Sequence, residues 1–260
     1  MKTNRLITIP ISHYCEKARW ALERAGIPYI EERHLQGFHT LPVYLAGKVD
    51  TAPVLVTGEG TFSDSTDIMK WADQKTPKNL KLYPSDPKQR QEVELLGSYF
   101  DGKFGAAGRL WMYTYLLSDT ALILRYSKIH KVPAYQRLMF PIVSRFTRKY
   151  VAKALEMDSN SRAQSLKVVD RYFKEVGDIL RDGRPFLVGD RFTAADLTFA
   201  ALAAAVLIPD GPDEYGVRLP SLSELPTEMR DQVLIWRNQP AGIFALKMFH
   251  EHRTLPLLQK

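Results

Sequence analysis

Ser12, His13, Tyr14 and Cys15 stand in an unbroken run, preceded by the apolar stretch Leu6-Ile7-Thr8-Ile9 and followed by a helical stripe of Ala18, Leu22 and Ala25. The stretch reads as a buried strand, and Gly26 with Pro28 closes the helix. A hydroxyl and a thiol at a helix start face unpaired backbone N–H groups and the positive end of the helix dipole. The chemistry that such a place supports is the holding of a thiolate or another small anion. The same residues also serve as a plain N-cap and an inert small buried side chain. Ser-x-x-Cys alone does not separate the two.

The elements that must position Ser12 are legible around it. Tyr29 to His34 reads as a second strand, parallel to the first by a right-handed crossover. An irregular stretch from Gln36 to Gly47 follows, with a turn or two of helix around Leu41 to Leu45. Pro53-Val54-Leu55-Val56 and Thr61-Phe62 flank Gly58-Glu59-Gly60, a hairpin signal. Asp64-Ser65-Thr66 caps a helix whose stripe is Ile68, Met69, Trp71 and Ala72. The order β-α-β then β-β-α is the thioredoxin arrangement, here over residues 1–76. A Pro-rich linker spans 77–87.

From residue 88 helical periodicity takes over, with helices expected at 88–118, 120–130, 134–157, 162–182, 194–208, 223–238 and 240–251. Phe192-Thr193-Ala194-Ala195-Asp196-Leu197 is a capping box with a hydrophobic staple. The helix it opens is apolar nearly all round, which places it at the centre of a bundle.

The chain of 260 residues is long enough for a substantial core, and 45% apolar with 25% charged residues is an ordinary globular balance. One cysteine excludes an intrachain disulfide and a Cys-only metal site, and it suits a reducing compartment. Six histidines show no ligand spacing, so no metal is expected. The apolar stretch that follows Met1 to Arg5 is too short for a signal peptide and has no cleavage site after it, and the longest apolar run, Phe199 to Ile208, falls short of the ~20 residues of a bilayer span. A cytoplasmic protein with no membrane span is the expectation.

The net charge of +7 is localised. Between Asp119 and Glu156 there is no acid, but there are eight bases: Arg125, Lys128, Lys131, Arg137, Arg145, Arg148, Lys149 and Lys153. Interleaved with Tyr126, Tyr135, Phe140 and Phe146, this stretch suits a solvated helix surface or a pocket rim that attracts anionic small molecules. Nucleic acid and an anionic membrane face are its rival partners. No groove-reading motif accompanies the charge, so no nucleic-acid partner is expected.

Taken together, Ser12-x-x-Cys15, Ala52-Pro53, Asp64-Ser65 and the Phe-Thr-Ala-Ala-Asp-Leu run at 192–197 resemble the cytosolic glutathione S-transferase superfamily over essentially the whole chain. The resemblance implies an α/β thioredoxin-like N-terminal domain plus an all-α C-terminal helical bundle at 88–260, a homodimer, and a detoxification enzyme with glutathione as co-substrate. It places Ser12 at the thiol-activating position of the serine-type classes (theta, phi, zeta), where omega-like members carry cysteine and form mixed disulfides. It implies a cis Ala52-Pro53 bond that presents the Ala52 backbone to the cysteinyl part of glutathione. Asp64 and Ser65 would take the γ-glutamyl end, and His39 and Lys48 the glycine carboxylate.

A small, hydrophobic second substrate would sit between the halves, against Tyr14, Phe100, Phe104, Arg109, Trp111 and Tyr115; anionic or aromatic electrophiles would suit the basic stretch. His13 is expected to be exposed and unpartnered, and Cys15 structural. Conjugation, a glutathione-dependent isomerase, lyase or dehalogenase reaction, reduction through Cys15, and a non-catalytic binding module all remain open at this point.

Overall fold

Alternation along the first strand has two apolar destinations, and this sets the layers of the N-terminal half. The structure, a computed structural model, describes residues 3–155, 157–158, 160–209 and 216–253. In β1 (Asn4–Thr8), Leu6 joins the main core with Ala18, Leu22, Leu55 and Ile68, while Ile7 faces the other way into a small cluster with Val43 and Val54. Helices α1 (His13–Arg24) and α3 (Ser65–Lys75) therefore cover one face, and α2 (Thr40–Gly47) the other. Between them run β2 (Tyr29–Arg33), β3 (Val54–Val56) and β4 (Thr61–Phe62). The sheet order is β2-β1-β3-β4, with β1 parallel to β2 and antiparallel to β3.

The rest of the described chain is helical: α4 (Pro87–Tyr99), α5 (Gly105–Leu116), α6 (Thr120–Ile129), α7 (Ala134–Ala154), α8 (Ser161–Ile179), α9 (Ala194–Leu207), α10 (Thr227–Arg237) and α11 (Pro240–Met248). The helix expected at 88–118 is in fact two, joined by a π-helical turn over Phe100–Phe104. That expected at 134–157 ends at Ala154; residue 156 lies outside the described residues. A second π-helical turn, Phe249–Arg253, follows α11. Among the described residues no helix is long and apolar enough to cross a membrane.

Helix α9 is buried along its whole length and packs against α1, α4, α5, α10 and α11. Phe104 stacks on Phe199 with ring centroids 5.4 Å apart, and Trp111 meets Trp236 edge-on at 4.7 Å. The start of α9 is held by Asp196, which is fully buried. Its carboxylate accepts from the Leu187 N–H, the Thr193 N–H and the Thr193 hydroxyl, each at 2.7 Å. Burial pushes this carboxyl up to about 6 despite those donors. Asp196→Ala leaves two backbone N–H groups unpaired in the core, so unfolding free energy should fall by about 3 kcal/mol in urea titrations.

Candidate functional site

Three of the sequence signals come together at one end of the sheet, and strand register alone brings them there. Ile7 of β1 pairs with Val54 of β3, so the chain leaving β1 for Ser12 and the chain entering β3 through Pro53 share that end. Phe62 pairs with Leu55, so β4 also leaves towards it, into Asp64 and Ser65. The Ala52-Pro53 bond is cis. The first turns of α1 and α3 are tied together by Lys17, whose ammonium lies 2.7 Å from the Thr66 hydroxyl.

Ser12 is the N-cap of α1, half-buried, with its hydroxyl oxygen accepting from the Cys15 N–H at 3.4 Å. That bond uses an oxygen lone pair, and the hydroxyl hydrogen stands within hydrogen-bond reach of the Cys15 sulfur, whose thiolate form it favours. Cys15 has no exposed surface, and burial pushes its thiol up to about 11 although the Arg19 charge pulls the other way. Tyr14 donates its hydroxyl to the Asp101 carbonyl at 3.0 Å; burial raises this phenol to about 12. The approach is close enough that only glycine fits opposite, since a Cβ at Gly105 would fall 2.4 Å from the Tyr14 hydroxyl.

His13, expected at the surface, is buried instead. Its Nε2 lies 3.1 Å from the Gly105 carbonyl, an acceptor only, so Nε2 carries the hydrogen. Burial, with the Arg109 charge beside it, holds the imidazole neutral at about 3. The partner carbonyl is far along the chain, on a helix that only the tertiary fold brings near.

Further residues of α1 that sequence reasoning passed over are buried charges. Lys17 pairs with both oxygens of the Asp101 carboxylate in the π-helical turn. Arg19 reaches Glu16 at 2.8 Å, Glu31 of β2 at 2.9 Å and the Pro10 carbonyl at 2.8 Å. Arg253 closes the set on Glu16 at 2.6 Å. Burial alone would raise the Glu16 carboxyl; the guanidinium groups of Arg253 and Arg19 prevail and hold it at about 2. A run of charges on an otherwise inward-facing helix is the one sequence sign of them.

The other expected glutathione contacts differ in character. Ala52 is half-buried and Ser65 buried, while Asp64 is exposed and caps α3 by accepting from the Thr66 N–H at 2.7 Å. Lys48 is exposed at the end of α2, with its ammonium 5.0 Å over the Tyr44 ring. His39, by contrast, is no free cation. It is buried, its Nδ1 accepts from the Gly37 N–H at 3.2 Å, and burial with the neighbouring His34 lowers it to about 4.

The pocket beside this end of the sheet is walled by residues other than those expected. Phe100, Phe104 and Trp111 are core residues, drawn inward because their aromatic surface is covered by α8, α9 and α10. Tyr115 turns to α8, where the Arg162 guanidinium stacks 3.9 Å from its ring centroid. Arg109 stays half-buried with its Nε unpartnered among the described residues.

The cavity itself, about 90 Å3, lies along the next stripe of α5. Met112, Tyr113, Leu116 and Leu117 face Ile9, Pro10 and Ile11 on one side and the inner faces of α6 and α7 on the other. Of the basic stretch only Arg148 reaches it as a cation, beside His130, whose ring nitrogen is bonded to the Arg218 carbonyl. The spacings Ile123/Tyr126/Ser127/His130 and Phe140/Ser144/Thr147/Arg148 are helical stripes that a periodicity search could have found. Among the described residues no group of three or more His, Cys, Asp or Glu is placed to hold a metal.

Comparison with known proteins matches both halves of the chain. The family model of the glutathione S-transferase N-terminal domain matches residues 6–80, and that of the C-terminal domain residues 159–225, together more than half of the chain. A probable glutathione S-transferase of Nicotiana plumbaginifolia is 26% identical over 112 residues, 42% of this chain and 51% of its own length. The chain thus spans about half the length of this curated relative.

Among solved structures, a theta class glutathione S-transferase of Xanthomonas axonopodis pv. citri, with glutathione bound, is similar at a TM-score of 0.57 and 17% identity, over 99% of this chain and 100% of that one. A tau class enzyme of mango, Mangifera indica, gives 0.53 and 15% over 96% of both. At such identities the likeness is one of fold.

Two outcomes follow from the buried groups. Between pH 6.5 and about 3 the unfolded chain protonates the His13 imidazole and the folded chain does not, so stability should fall as pH drops through that window. His13→Gln, whose amide can still donate to Gly105, should show a shallower fall in urea midpoints measured from about pH 7 to about pH 4. Cys15 should resist iodoacetamide in the native protein and react once urea unfolds it, as mass spectrometry would record.

Proposed function

The chain belongs to the glutathione S-transferase superfamily, and on that footing we propose that it is a glutathione-dependent transferase in which Ser12 holds the glutathione sulfur as a thiolate for attack on a small apolar or aromatic electrophile. One observation carries the reading. The cavity wall Ile9-Pro10-Ile11 runs directly into Ser12, so a hydroxyl at a helix N-terminus stands one residue from an apolar cavity.

An ordinary thiol has a pKa of ~8.5, so little of it is ionised at neutral pH. A hydrogen bond donated by Ser12 and the N-terminal dipole of α1 both favour the anion and lower that value. The rival groups are poorly suited: the Tyr14 hydrogen is committed to the Asp101 carbonyl, and Cys15 is sealed from solvent. In the reaction the thiol proton leaves to water, the sulfur lone pair forms the new C–S bond, and the leaving group departs with the electron pair of the bond it breaks.

The peptide part of glutathione would lie along the sheet end described above. The Ala52 backbone would pair with its cysteinyl unit as an added strand. Ser65 and the N-terminus of α3 would take the γ-glutamyl carboxylate, with Asp64 near its ammonium. Lys48 would supply the charge for the glycine carboxylate, and His39, neutral, at most a hydrogen bond. Met112, Leu116, Leu117 and Phe140 would set the apolar character of the acceptor.

Thiolate absorbance of bound glutathione, followed across pH, tests the reading. The parent should show a thiol pKa below ~8.5, and Ser12→Ala should restore the solution value. The same variant should lower kcat with an activated aryl halide by about a hundredfold. An unchanged thiolate in Ser12→Ala, or none in the parent, would remove Ser12 from this role.

A further inference from the structure

Helix α7 has two faces of opposite use. Gln136, Phe140, Ser144 and Val151 turn inward and are buried. Tyr135, Leu138, Met139, Ile142, Phe146 and Tyr150 stand on the outside, with Leu138 82% and Phe146 72% exposed. At about 100° per residue these six fall within an arc of about 120°. Arg145, Lys149 and Lys153 lie within or beside that arc, and the helix has no acidic residue. Arg125 of α6 finds Glu224, whereas Arg145, Lys149 and Lys153 have no ion-pair partner among the described residues.

We propose that the outer face of α7 docks on an anionic lipid bilayer. Its apolar side chains enter the boundary between headgroups and acyl chains, and its cations settle among the lipid phosphates with their stems along the apolar surface. Charge selects this occupant over a second copy of the chain. A twofold contact through the same face would set Arg145, Lys149 and Lys153 against their own duplicates with no acid on the helix to offset them.

The apolar arc selects lipid over nucleic acid, because Leu138, Met139 and Ile142 offer nothing to a phosphate backbone. The inner face of the same helix supplies Phe140, Ser144, Thr147 and Arg148 to the cavity, so docking would set one cavity wall beside the lipid. None of this depends on what the cavity binds.

Co-sedimentation of the full chain with phosphatidylcholine vesicles, with and without about 30% phosphatidylserine, tests the proposal. The parent should bind the anionic vesicles at least about tenfold more tightly than the neutral ones, and less tightly as salt is raised. Leu138→Asp/Phe146→Asp should lose about tenfold or more of that binding while keeping the parent melting temperature. Arg145→Glu/Lys149→Glu/Lys153→Glu should lose the preference for phosphatidylserine. Equal binding to both vesicles, no binding, or full binding by Leu138→Asp/Phe146→Asp would overturn the proposal. So would a dimer seen by light scattering that the same double variant dissociates, which would make a second copy the occupant, or duplex DNA outcompeting the vesicles.

Discussion

Helix α1 carries Glu16, Lys17 and Arg19 into places that water does not reach, and the arrangement around it follows from the need to pair them. An isolated buried charge costs several kcal/mol, and removing one partner of a buried pair costs about 3–5 kcal/mol. Each of the three is met by a different part of the chain. Glu16 takes Arg253 from the second π-helical turn, Arg19 takes Glu31 from β2, and Lys17 takes Asp101 from the first π-helical turn together with Thr66 of α3. A helix pinned at these points cannot slide or roll on the sheet without stranding a charge. Ser12, at its start, inherits that rigidity.

Around Ser12 the neighbouring groups are kept out of proton chemistry. His13 is neutral and donates to Gly105, the Tyr14 hydroxyl is committed to Asp101, and Cys15 is protonated and covered. What faces outward at the helix start is therefore a hydroxyl and the dipole of α1 rather than a set of competing acids and bases. Such a helix start favours a nearby anion on physical grounds alone. The apolar cavity next to it supplies the second half of the arrangement, since an apolar molecule held there would be kept close to that anion.

Much of this was legible in the residues. The four strands, the hairpin, the caps at Asp64 and Asp196 and the buried central helix all rest on local rules of period and capping, and they appear within two residues of where those rules put them, the first strand as Asn4–Thr8 where Leu6 to Ile9 was expected. The cis Ala52-Pro53 bond came through the resemblance to a family. What escaped was whatever depends on distant partners. Nothing near His13 announces the Gly105 carbonyl, and nothing near Lys17 announces Asp101. The aromatic residues of the first π-helical turn and α5 looked like a pocket lining because aromatic side chains suit both pocket and core. In the folded chain the core takes Phe104 and Trp111, and the less conspicuous stripe of Met112, Tyr113 and Leu116 is left to the cavity.

The turn at Phe100–Phe104 has a consequence for how such a cavity can change. A π-helical turn holds one more residue than an α-helical one, so it advances the phase of everything after it by about 100° relative to the helix before it. With α4 packed against α9, that offset decides which stripe of α5 looks towards α6 and α7. Met112, Tyr113 and Leu116 hold the wall in the present phase. Loss of a single residue from the turn would re-line the cavity with a different stripe and leave every remaining side chain chemically unaltered. In this chain the shape of the cavity wall is thus encoded partly as a count of residues, and a one-residue deletion would alter it more deeply than most substitutions.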